Sequence, residues 1–541
     1  MVSAASRALL VLAVFAGGAL TRSPKSPSLP RGNVSHTSVT IAGGRVHGMI
    51  DHSMPNVRQF LGIPYAQPPV GKLRFAAPQP ALPFGDLDAT HMPPSCPQFL
   101  MKTPQNVYTE HVLEFNLQGA NATSHEISED CLTISVWTPT STSNVIHETR
   151  HLPVLIFIYG GAFLTGSVDV PYQVPAQWVQ RTQAHVVAVF NYRLNIYGFP
   201  HAAGLPEGQE NAGLRDQRLA VEWVRDNIAA FGGDPARITL WGQSAGAIGA
   251  GYYQYAYAHD PIINAVIMNS GTELLPGATS SSADAKGLTF STVAAQFGCG
   301  NLSATAELDC MRGANISALN VEGFIETHND ASILDFLEGK PSTVFFFTPV
   351  VDNLTVFPDY TARARAGEIA KIPTILGTNK EDGVPFVPLD ADGGGVNETL
   401  AMWATLGSFF CPGFKAATNR IAAGVPVYRY LYAGNFSNIS PAPFLGAYHA
   451  AELPMIFGTE NNYRGPPTDL ELATSHAMQD AWLAFASTGV PADGWPRYTD
   501  PVTGLAREYG VASSAPLGYV DISLHPEEAQ LCPEMYQPDA P

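Results

Sequence analysis

Positive charge is scarce in this chain: 29 of its 541 residues are Lys or Arg against 47 Asp or Glu, a formal net charge of -18. With charged residues at 14% and no basic cluster, neither nucleic acid nor an anionic membrane surface is an expected partner. Cysteine is scarce too. There are six, with no C-x-x-C pair, which argues against structural zinc, so no metal or cofactor is expected. Internal repeats and coiled-coil heptads are missing, and no linker offers a place to divide the chain. The apolar run from Ala8 to Leu20, after a short start carrying Arg7, is too short to span a bilayer.

That run reads as a signal peptide over residues 1–19, with Gly17 and Ala19 at the cleavage site and residues 20–541 as one mature domain. Glu534 to Pro541 is polar, with no hydrophobic tail for a lipid anchor and no retention tetrapeptide, so a released extracellular protein is expected. Other features agree with secretion. Eight N-x-[ST] sequons are glycosylation candidates, at Asn33, Asn121, Asn301, Asn315, Asn353, Asn397, Asn435 and Asn438. An even number of cysteines in a secretory chain implies disulfides. Spacing leaves the connectivity open; the economical choice is the local pairs Cys96 with Cys131 and Cys299 with Cys310, leaving Cys411 for Cys532.

Short β-branched runs alternate with helix-like segments. Val154 to Tyr159, Val186 to Phe190, Ile238 to Trp241, Ala265 to Met268 and Pro373 to Leu376 read as buried strands, and Asp216 to Phe231 has helical periodicity. This alternation predicts an α/β fold, a mostly parallel sheet with helices on both faces and functional residues beyond the strands' carboxyl ends. Asp390 to Gly395 has the start of a calcium loop but Ala401 where the closing glutamate belongs, so it reads as a surface loop.

Chemistry enters at Gly242-Gln243-Ser244-Ala245-Gly246. A G-x-S-x-G between a β-branched run and small, helix-compatible residues has the pattern of a nucleophile elbow, in which a serine sits on a tight strand-to-helix turn. A serine hydroxyl is a poor nucleophile at neutral pH. It needs an adjacent base, an acid to hold that base's tautomer, and N–H donors for the oxyanion. Tyr159-Gly160-Gly161-Ala162-Phe163, directly after a buried strand, has the small residues such a donor turn needs, and equally fits an ordinary tight turn.

Further motifs extend the pattern in order: Phe60 to Ala66, Pro68 to Gly71, Leu73-Arg74-Phe75, Ser128 to Leu132, Asn191-Tyr192-Arg193, and Asn227 through Pro235. From about Gly43 to near the C-terminus the chain resembles the type-B carboxylesterases, which include cholinesterases, fungal lipases and sterol esterases, and the pattern is nearest the secreted fungal members. The resemblance implies the α/β-hydrolase fold and a serine esterase. It makes Gly161, Ala162 and Ala245 the oxyanion donors and Ser244 the nucleophile. In Asn379-Lys380-Glu381-Asp382-Gly383 the acid is Asp382, where most relatives have glutamate, with Glu381 the runner-up. Tyr448 to Leu453 nominates His449, and Ser244, Asp382, His449 then follow the order of that fold. Gln243 and Ser270 fall to a supporting shell, and Arg74 with Glu129 and Arg193 with Asp216 to buried ion pairs. Cholinesterases carry glutamate and tryptophan where this chain has Gln243 and Asn121, so choline esters are not expected.

The expected function is hydrolysis of soluble short- to medium-chain carboxylic esters through an acyl-enzyme. An interfacial lipase or sterol esterase is the alternative, and it turns on the loop 97–130, whose apolar residues (Phe99, Leu100, Met101, Val107) suit either a lid or plain packing. A non-catalytic adhesion protein on the same fold is the rival of another class; such proteins lose a triad member, and this chain keeps every part.

Overall fold

The apolar runs expected as strands form the middle of one large sheet. A computed structural model describes residues 37–98, 107, 111, 127–140, 151–275, 287–317, 347–390, 394–462, 464–492, 494–499, 504–511, 516–521 and 532. All belong to one unit, Thr37–Pro541. The signal-peptide reading, Asn33, Asn121 and most of the loop 97–130 lie outside the described residues, as do 391–393 of the calcium-like loop.

Among the described residues thirteen strands follow in chain order: β1 Ser38–Ile41, β2 Gly44–His47, β3 Val57–Pro64, β4 Gly85–Asp88, β5 Thr133–Pro139, β6 Leu152–Ile158, β7 Val186–Phe190, β8 Gly233–Gln243, β9 Ala265–Asn269, β10 Thr374–Asn379, β11 Val427–Tyr432, β12 Leu505–Tyr509 and β13 Leu517–Asp521. A 10-stranded sheet has the order β13-β12-β11-β10-β9-β8-β6-β7-β5-β3, and β1, β2 and β4 form a small separate sheet. From β12 across to β7 every pairing is parallel, while β13, β5 and β3 join antiparallel at the edges. The reason is composition. β6, β7 and β9 are apolar and buried along nearly their whole length, as suits parallel strands covered on both faces by crossover helices. The expected helix is Ala212–Asn227, followed by a 3₁₀ turn Ile228–Phe231 that ends at Gly232 with φ 92°. It starts four residues early because Ala212, Gly213 and Leu214 pack into the core, a tertiary effect that periodicity does not report.

The cysteines pair as expected: Cys96 with Cys131, Cys299 with Cys310, Cys411 with Cys532. Arg193 and Asp216 form a fully buried bidentate pair at 2.7 and 2.8 Å, and Arg74 holds Glu129 at 2.6 and 2.7 Å. The Arg74–Glu129 pair is only partly buried, and a second fully buried pair, Arg420 with Glu273 at 2.8 Å, was not anticipated. Among the sequons, Asn301, Asn315, Asn353, Asn397 and Asn435 are exposed. Asn438 is corrected: its side chain is buried and the amide nitrogen that would carry a glycan donates to Glu460 O at 2.8 Å, so the folded chain has no room for one there. No described helix is long and apolar enough to cross a membrane.

Candidate active site

Ser244 stands between the end of β8 and the helix Ala245–Ala256, at φ 55° and ψ -123°. A non-glycine residue in that region costs about 1–3 kcal/mol, and the surroundings hold it there: Ser244 N donates to Asn269 O at 2.8 Å, and Ile248 N to Ser244 O at 2.9 Å. Glycine is required on both sides. A Cβ on Gly242 would lie 2.1 Å from Gly246 O, and one on Gly246 would lie 2.0 Å from Ile158 O. Ser244 is half-buried, with the positive end of the helix behind it.

After β6 the chain turns through Gly161, Ala162 and Phe163 with φ 108°, 56° and 62°. This turn lies against Ser244, since a Cβ on Gly160 would stand 2.9 Å from Ser244 Cβ. Among the described residues no carbonyl accepts from the N–H groups of Gly161, Ala162 or Ala245; Ala245 is the first residue of its helix, where the N–H has no intrahelical partner. The turn after β6 and the first turn of the helix Ala245–Ala256 thus both lie beside Ser244.

Asp382 follows β10 by three residues, and His449 lies in the segment between β11 and the short helix Leu453–Phe457. They meet: His449 Nδ1 is 2.9 Å from Asp382 Oδ1, with Asp382 fully buried and His449 5% exposed. Asn379 N donates to the other oxygen, Asp382 Oδ2, at 2.7 Å. With Nδ1–H given to the carboxylate, Nε2 is the basic nitrogen. Its partner in this structure is Gln243 Nε2 at 3.1 Å, so the imidazole's lone pair faces the residue just before the serine.

Glu381 points elsewhere. Its Oε2 accepts from Ala447 N at 2.8 Å, pinning the segment that leads to His449, and burial pushes its carboxyl upward. Ser270, at φ 49°, is bonded through its N–H to Gly377 O at 2.8 Å; its buried hydroxyl has no described partner, and Gly271 beside it packs behind Ser244.

Sequence reasoning missed three side chains. Glu452, fully buried, accepts from Asn379 Nδ2 at 2.5 Å and Asn269 Nδ2 at 3.2 Å, and burial, then the Asp382 charge, pushes its carboxyl up to about 7. The signal was present: an acid three residues after the histidine, heading an apolar run. Phe409 and Phe386 wall the imidazole, their ring centroids 4.7 and 5.1 Å from His449. Phe409 sits in a π-helical segment, Leu406–Phe410, which no residue pattern announces.

A serine on a strained turn, beside an imidazole held by a buried carboxylate, is an arrangement suited to acyl transfer. The profile of the family described as "Carboxylesterase family" matches residues 35–402 and 393–508. The chain is similar to a chlorogenic acid esterase of Aspergillus niger, 43% identical over 460 residues, covering 85% of this chain and 84% of that one. It is similar to secreted lipase 5 of Gibberella zeae, 40% identical over 493 residues, covering 87% and 90%. It also matches para-nitrobenzyl esterase of Bacillus subtilis, 31% identical over 502 residues, covering 86% and 93%. The chain therefore belongs to the carboxylesterase family and is a carboxylic-ester hydrolase with the α/β-hydrolase fold.

Proposed function

We propose that this enzyme cleaves soluble short- to medium-chain esters through a covalent acyl-enzyme on Ser244. Ser244 Oγ attacks the ester carbonyl while His449 Nε2 takes its proton, and Asp382 holds the imidazole in the required tautomer. The carbonyl oxygen, now an anion, is received by the N–H groups of Gly161, Ala162 and Ala245. Collapse breaks the bond to the alcohol oxygen, which leaves with the proton from His449. Water, activated by the same imidazole, then releases the acid and frees the serine.

The observation that carries this reading is the Asp382–His449 pair at 2.9 Å beside a serine at φ 55°. Soluble substrates are supported by the relative named for chlorogenic acid, and the relative named a secreted lipase supports the alternative. Secretion, after removal of residues 1–19, is supported by that second name and by three disulfides, which persist in oxidising compartments. A series of p-nitrophenyl esters of rising chain length, together with a triglyceride taken through its solubility limit, tests the substrate class. The reading predicts the highest kcat/KM at short to medium chains and no jump at the limit. A sharp rise in rate past the limit, lost when residues 97–130 are shortened, decides for the interfacial lipase.

A further inference from the structure

The motif Asn191-Tyr192-Arg193 contributes no atom to the triad, yet it lies directly beneath the oxyanion turn. Tyr192 is fully buried and stacks on Tyr159, the residue that opens the turn, with ring centroids 4.8 Å apart and planes at 22°. The two tyrosines exchange hydrogen bonds in both directions. Tyr192 Oη donates to Tyr159 O at 3.2 Å, while Tyr159 Oη accepts from Tyr192 N at 3.2 Å and donates to Tyr192 O at 3.4 Å. Three residues further on, Asn195 N donates to Phe163 O at 2.8 Å. One segment, 192–195, thus grips the carbonyls at both ends of the turn, Tyr159 O and Phe163 O, and the residues between them are Gly160, Gly161 and Ala162.

A turn with three successive positive φ angles does not persist on local preference; its surroundings must determine it. Donors aimed at a developing charge act by being fixed before the reaction, so whatever fixes their peptide planes shares in the rate. Tyr159 O belongs to the peptide leading into Gly160. A hydroxyl bonded to it sets the direction from which the next two N–H groups emerge. Burial raises both phenols well above the ordinary tyrosine value, so both keep the protons these bonds need.

We infer that the Tyr192 hydroxyl is a positioning residue for ester hydrolysis, holding the Tyr159 carbonyl so that the N–H groups of Gly161 and Ala162 meet the tetrahedral oxyanion. The inference rests on the proposed oxyanion role of those groups. Tyr192→Phe removes one oxygen and leaves the stacked ring, and the comparison variant, Tyr197→Phe, removes a likewise buried hydroxyl whose bond is to Ile316 O at 2.9 Å and not to the turn.

The test measures kcat and KM on p-nitrophenyl butyrate, and the Ki of an aryl trifluoromethyl ketone, whose serine adduct carries the same oxyanion. Tyr192→Phe is expected to lower kcat roughly 10-fold, less than the ~10²–10³ that follows loss of a direct donor, with KM changed less than about twofold. The ketone's Ki should rise by the same factor as kcat falls, a correlation that a merely structural contact does not produce. Tyr197→Phe should change both by less than about threefold. The inference is overturned if Tyr192→Phe retains the wild-type Ki, or if Tyr197→Phe loses as much as is expected of Tyr192→Phe. A ketone that fails to inhibit the wild-type enzyme sinks the acyl-enzyme reading itself. A ketone that inhibits wild type and Tyr192→Phe equally removes only the positioning role.

Discussion

Two adjacent carboxylates, Glu381 and Asp382, have opposite duties, and their hydrogen bonds divide them. Asp382 spends one oxygen on His449 Nδ1 and the other on Asn379 N, whereas Glu381 holds the backbone of Ala447. Asp382→Asn is expected to lower kcat by about 10⁴, the consequence of a wrong imidazole tautomer in such a triad. Glu381→Gln should keep kcat within about tenfold, because an amide oxygen still accepts from Ala447 N. Steady-state kinetics of the two purified variants check this, and reversed effects reassign the acid. Glu452 acts on stability. Its carboxyl titrates near 7 in the fold against 4.5 as a free side chain, so the folded state holds its proton where the unfolded state has lost it. Stability from this group is fully present below pH 4.5, falls as pH rises toward 7 and is level above. Glu460, also raised to about 7, contributes with the same sign. Glu452→Gln, which cannot ionise, should flatten the fall in denaturant midpoint between those pH values, and an unchanged slope contradicts the assignment.

Elements differ in how openly the sequence states them. β6, β7 and β9 were legible because they are nearly unbroken apolar runs, as Val186 to Phe190 is, and β8 and β10 were legible through the apolar stretches Ile238 to Trp241 and Pro373 to Leu376 that lie in or next to them. β11 was not. Val427–Tyr432 interleaves tyrosines with Arg429, and it is buried because the helix Asp469–Thr488 and the aromatic cluster of Trp482, Trp495 and Tyr509 cover it, partners distant in sequence. The catalytic motifs were legible as local backbone requirements: glycines where a Cβ would strike a carbonyl, a small helix behind the serine. Phe409 was not, since its position follows from how the π-helical segment packs against the imidazole, while Glu452, an acid heading the helix Leu453–Phe457, was legible and went unread. The ion pair Arg193–Asp216 joins the end of β7 to the helix Ala212–Asn227 with both groups out of water. Asp216→Ala should therefore destabilise the protein by about 3–5 kcal/mol, measured by urea unfolding, because the guanidinium is left buried alone. A loss under about 1 kcal/mol shows that the pair is not what joins these elements.

The whole molecule is a device for bringing distant residues to one edge of a sheet. Ser244 follows β8, the turn proposed to receive the oxyanion follows β6, Asp382 follows β10 and His449 lies beyond β11; all four strands run parallel, so all four ends open on the same side. The chemistry assigned to that edge requires one covalent intermediate on one serine. Its most direct measurement is intact-mass spectrometry and peptide mapping after treatment with a p-nitrophenyl organophosphonate, with release of p-nitrophenol followed in parallel. The account predicts one adduct per chain, located on the peptide containing Ser244, activity lost in proportion to labelling, and no adduct in Ser244→Ala or at the wild-type rate in His449→Ala. Stoichiometric labelling of any other residue, or an enzyme that keeps its esterase activity with Ser244 replaced by Ala, contradicts it.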